Sequence, residues 1–150
     1  MTFTVQFLNI IMAGLIAGTV LGIWIGYNPK TFTPATYIEQ QQGAIRALNT
    51  LMPVLGLITA ILTLISAFQQ KDNKSVFITL LFAVAFIVIS GLVTRFGNQP
   101  INSIVMTWDV NTPPPNWETL RDKWWSFHIV RTITSFMAFC LIAWANIRRG

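Results

Sequence analysis

The sequence predicts an all-α integral membrane protein: a bundle of four transmembrane helices with a long capping loop between helices three and four. Three observations predict it. Of the 150 residues, 53% are hydrophobic and only 10% charged, against about 25% charged in an ordinary soluble domain. Mean hydropathy is +0.58. Four apolar segments, each close to one hydrocarbon thickness, are separated by polar stretches. Six Trp and eleven Phe agree, because aromatic side chains collect at membrane interfaces. Soluble, disordered, collagen-like and disulfide-stapled classes are excluded together.

The first span covers about residues 7–27, and 21 residues at 1.5 Å rise give roughly 31 Å. No basic leader or small-residue cleavage site accompanies it, so it reads as an uncleaved span. Gly14, Gly18, Gly22 and Gly26, flanked by Ala13 and Ala17, recur at helical spacing. Such a smooth face is expected to pack closely on another helix, in the bundle, in a second protomer or in a membrane-complex partner. Next come Asn28-Pro29 and Thr33-Pro34, the latter an N-cap with proline at the first helical position. The second helix therefore starts near Pro34, before its apolar part at 48–68.

Gln69-Gln70-Lys71-Asp72-Asn73-Lys74 forms a tight turn into the third span, 76–96. Gly97 and Pro100 are expected to stop that helix. Residues 97–123 read as an ordered cap, because a featureless loop of that length is improbable in a small bundle. Pro113-Pro114-Pro115 stiffens it, and Asn116 is placed to cap a helix running through Arg121 into the fourth span, 124–147. One domain thus covers 1–150. Both termini and the 69–75 turn share a side, and Lys71, Lys74, Arg148 and Arg149 near the span ends suggest the cytoplasmic one.

Cys140, the single cysteine, lies in an apolar run and reads as a core hydrophobe. One histidine excludes multi-histidine metal sites, so no metal is expected. The net charge of +5 sits at span ends and inside spans, which points to the lipid bilayer and away from nucleic acid.

Two polar stripes carry the chemistry. On the second helix Glu39, Gln42, Arg46, Asn49 and Pro53 fall at offsets 0, 3, 7, 10 and 14, one side of a helix. Pro53 is expected to kink the helix and free a carbonyl nearby. On the fourth helix Arg121, Trp124 or Trp125, His128, Arg131 and Ser135 repeat the spacing. Arg131 lies inside the span, where a charge is expensive and marks a functional site; Glu39 is its candidate counter-charge. With Asn98 and Asn102 after the third span, these stripes are expected to line one cavity under the cap, beside the glycine face.

Gly97-Asn98-x-Pro100-x-Asn102, followed by Trp117, Leu120-Arg121, Trp125, His128 and Val130-Arg131-Thr132, resembles the anthrone oxygenase-like family of small four-span membrane proteins. Gln41-Gln42, Arg46 and Met52-Pro53 resemble its second-helix pattern, and the likeness covers roughly residues 37–145. It implies oxidation of anthrones to anthraquinones by O₂, with no evident metal or flavin. The residues offer a matching chemistry: His128 as base, Arg131 as oxyanion partner, and Trp124 and Trp125 stacking on a planar lipophilic aromatic. Gln42, Asn49, Asn98, Asn102 and Arg121 orient its polar groups. Two other readings stand beside this one. One is a non-catalytic small-molecule binder or accessory subunit; the other is a quinone site, or a haem ligated across a symmetric interface.

Overall fold

Four apolar runs long enough to cross a bilayer are helical in the computed structural model, which describes residues 2–148. The elements are α1 (Thr2–Gly26), a 3₁₀ turn (Pro29–Thr31), α2 (Pro34–Leu48), α3 (Leu51–Gln69), α4 (Lys74–Val93), a π-helical turn (Thr94–Asn98), α5 (Gln99–Val105) and α6 (Trp117–Ile147). Candidate membrane spans are Phe3–Thr31, Leu51–Gln69, Lys74–Val105 and Trp117–Ile147. The chain is an integral, multi-pass membrane protein. Arg149, one of the basic residues at the C-terminal end, lies outside the described residues.

The spanning helices form a closed ring: α1 packs on α3 and α6, and α4 packs on the same two. Small side chains let them approach, as van der Waals packing in a membrane requires. Toward the 70–73 turn the core is Ala13, Ala67, Val76, Leu80, Ala83, Ile142 and Ala145. There Thr63 Oγ1 also donates to Asn9 Oδ1 at 2.9 Å. At the opposite end Ile45, Ile101, Val105 and Trp124 form a second core.

Local signals set most boundaries. Thr33 caps α2 by accepting the Thr36 amide, and Pro34 is its first residue. Asn73 caps α4 through the Val76 amide. Asn116 does occupy the N-cap position of α6, but its side chain makes no capping bond.

Four expectations are corrected. Gly97 and Pro100 do not stop the third spanning helix. The Gln99 amide bonds five residues back to the Thr94 carbonyl, and this π turn absorbs the proline, so the helix runs on through α5. The irregular part of the cap shrinks to 106–116. Cys140 is exposed on the outer surface of α6. The buried face of α1 is Gln6, Asn9, Ala13, Ala17 and Val20, one position off the glycine stripe. Gly18, Gly22 and Gly26 consequently have open space where a Cβ would stand, and only Gly14 meets a side chain, that of Phe139 at 3.4 Å.

Candidate functional site

Pro53 shapes the near wall. It has no amide to offer the carbonyl four residues back, and that carbonyl belongs to Asn49, where the α2–α3 helix breaks. Gln99 Nε2 fills the gap, donating to the Asn49 oxygen at 3.4 Å. The break turns the Asn49 side chain inward, where its Oδ1 accepts from Asn102 Nδ2 at 2.9 Å.

Asn102 is the hub of a buried network. Its Oδ1 accepts the Trp124 indole N–H at 2.8 Å and Gln41 Nε2 at 3.5 Å. Gln41 Oε1 in turn accepts the Tyr27 hydroxyl at 2.9 Å. Asn98 Nδ2 holds α6 by donating to the Trp124 carbonyl at 3.0 Å. These bonds tie Tyr27, just beyond α1, to α2, α5 and α6 at one end of the bundle, so the side chains are pre-oriented before any ligand arrives.

On α6 the rings of Trp124, His128 and Trp125 are stacked. His128 lies 5.2 Å from Trp124 at 6° and 5.4 Å from Trp125 at 27°. His128 is fully buried, and its Nδ1 accepts Arg131 Nε–H at 2.9 Å. That bond makes the ring the Nε2–H tautomer. The Arg131 guanidinium also stands 5.7 Å from the centre of the Trp124 ring, a cation–π contact.

Two cavities adjoin Arg131, one of about 300 Å³ and one of about 110 Å³. Val20, Met52, Pro53, Thr94 and Arg131 line both. Asn49, Asn102, Trp124, Tyr27 and Gln41 line the smaller one; Ser90, Ser135, Arg95 and Gln99 line the larger. Among the described residues no carboxylate pairs with Arg131. An arginine at the centre of a membrane helix costs about 2.5–3.5 kcal/mol. Among the described residues a neutral imidazole and an indole face are the groups that offset it, and Arg131 lines both cavities.

The predicted residues therefore divide. Arg131, Trp124, Asn49 and Asn102 meet at the cavities; His128 supports Arg131 from behind. Trp125 and Asn98 stand outside the lining. Gln42 instead fastens the cap, donating to the Val105 and Trp108 carbonyls at 3.0 and 2.9 Å. Arg121 pairs with Asp122 at 2.9 Å and Glu118 at 3.8 Å and covers the Trp117 ring. Glu39 is exposed and does not pair with Arg131, so it is not the counter-charge. The glycine stripe lines neither cavity. Tyr27, Gln41, Thr94 and Gln99 were missed. Gln41 had a signal: it is in phase with Tyr37, Ile38 and Ile45, the buried face of α2.

Neither a curated relative nor a solved structure matches the chain. A sequence model of one family, described as anthrone oxygenase, does match, over residues 42–141. That interval holds Asn49, Pro53, Asn102, Trp124, His128 and Arg131, the residues that build the cavity walls and aim the guanidinium. The chain belongs to the anthrone oxygenase family.

Proposed function

We propose that this protein oxidises a lipophilic, planar phenol or anthrone at an acidic methylene, with O₂ as co-substrate. The observation that carries the reading is Arg131, a cation with no carboxylate partner among the described residues, lining cavities inside an apolar bundle. Such a group favours the ionised form of a substrate, since an arriving enolate oxygen replaces a missing counter-ion.

The chemistry balances with O₂ alone. Loss of one methylene proton to solvent gives a carbanion whose charge rests on the carbonyl oxygen beside Arg131. Carbon–oxygen bond formation with O₂ gives a peroxide anion, which takes up a proton. Loss of water from the hydroperoxide leaves a carbonyl where the methylene stood. One O₂ is consumed and one water released.

Arg131 is the catalytic residue in this scheme, Trp124 offers a stacking face, and Asn49 and Asn102 orient polar substituents. His128 is a positioning residue, because its Nδ1 lone pair already holds Arg131. Supplying a hydroxylated anthrone to protein in nanodiscs tests the proposal through O₂ uptake and quinone absorbance. Equal uptake and quinone formation, lost in Arg131→Gln, supports it. Binding without uptake favours the second reading, a non-catalytic carrier of planar phenols, to which the occupied His128 lone pair lends weight.

A further inference from the structure

The α3–α4 pair is packed at one end and open at the other. Near the turn, Thr63, Ser66 and Ala67 of α3 and Val76, Leu80 and Ala83 of α4 are buried. Away from it, no residue of 51–58 or of 84–93 is buried. The larger cavity occupies this open half. Two of its lining side chains, Leu57 and Val88, are 64% and 48% exposed on the outer surface. Both stand within apolar spans, so the surface they occupy is a lipid-facing one.

Two glycines border the gap, Gly56 on α3 and Gly91 on α4. Neither is needed for a turn or a close approach: a Cβ at either position meets nothing within 4 Å. Glycine in a helix interior is otherwise unfavourable. What both positions share is an unobstructed edge of the cavity. Inside lies Arg131, and Arg95, also in the lining, donates to Gln99 at 3.3 Å. The lining holds these two guanidiniums and no carboxylate.

We infer that the gap between α3 and α4 is a lateral portal through which a lipophilic organic anion enters directly from the bilayer, its body passing between Gly56 and Gly91 and its charged oxygen ending at Arg131. The ligand class rests on the function proposed above; the route does not. Lateral entry suits a solute that concentrates in the hydrocarbon region, and it requires no opening of the 106–116 connection. Because the glycines have free space, filling their side chains narrows the portal without overpacking the bundle.

The test is stopped-flow quenching of tryptophan fluorescence in nanodiscs by a dihydroxyanthraquinone preloaded into lipid. Gly56→Leu/Gly91→Leu is expected to keep the wild-type melting temperature and to slow association at least tenfold. Leu57→Phe/Val88→Phe, altered only on the exposed rim and adding no tryptophan, gives a second obstruction and the same expected slowing. Wild-type association rates in both double variants overturn the portal, as does a wild type that is not quenched. Oxygen uptake is recorded in parallel. Quenching without uptake counts against the oxidase alone, whereas uptake with unslowed association counts against the portal alone.

Discussion

Arg131 donates its Nε–H to His128 Nδ1 at 2.9 Å, so the one histidine of the chain aims the guanidinium from a fully buried position instead of facing the cavity. A hydrogen bond to a charged group contributes about 1.5–3 kcal/mol, enough to decide where a mobile arginine rests. The Thr132 hydroxyl donates to the His128 carbonyl, and Ser135 of α6 shares a hydrogen bond with Ser90 of α4 at 2.9 Å.

His128→Asn is expected to keep the binding of a planar anion within a few-fold of wild type, because an amide oxygen replaces Nδ1 as acceptor. His128→Ala is expected to weaken it by about 10- to 100-fold, the range set by that bond. Titrating both variants with dihydroxyanthraquinone by fluorescence quenching checks this. Turnover that survives in His128→Asn identifies a positioning role; turnover abolished equally in both identifies a base.

Gly97→Ala is expected to destabilise the bundle by about 1–3 kcal/mol, the usual range for overpacking. A Cβ there stands 2.7 Å from the Phe127 ring at Cγ, a carbon the side chain cannot swing away cheaply. Thermal melts in detergent measure it, with the Gly97→Ala penalty expected to shrink in a Phe127→Ala background, which has no Cγ to meet. Gly18→Ala is the control and is expected to leave the melt unchanged, since that position is open.

Asn102→Leu removes the acceptor of the Trp124 indole and the donor to Asn49 Oδ1. Each stranded group costs about 1–3 kcal/mol where water is excluded. A lowered melting temperature and a changed indole emission are the expected outcomes; an unchanged melt contradicts the hub role.

Legibility in the sequence tracks the physics of each signal. Spans, the Thr33 cap and the Arg131 anomaly were readable because hydropathy, capping chemistry and the cost of a buried charge are local properties. The inward stripe of α6 through Arg121, Trp124, His128 and Ser135 was readable for the same reason. Which amide of Gln41-Gln42 points inward was not, since adjacent helical residues differ by about 100° and tertiary packing decides the phase. Pro100 misled because its fixed φ and missing amide break a regular α-helix, whereas a π turn accommodates them. The glycine stripe misled because small residues permit close packing without selecting which neighbour comes close.

Tyr37 supplies a pH dependence. Its phenol is fully buried beneath Trp108 and Trp117, and burial pushes its ionisation up from the ordinary tyrosine range. A group raised in the folded state contributes stability that is complete below the unfolded value, about 10, and is lost as pH rises beyond it. Wild-type melts are therefore expected to fall above pH 10 more steeply than those of Tyr37→Phe, a variant that sacrifices no hydrogen bond among the described residues.

The π turn at Thr94–Asn98 gives this helix one residue more than an α-helical register needs, and each added residue rotates the downstream helix by about 100°. In regular α geometry the same residues would swing Asn102 away from Trp124 and Asn49, and the wide turn takes up the extra residue so that Asn102 meets both. A change that tightens this turn without removing a residue thus improves the local helix and dismantles the network that the helix carries.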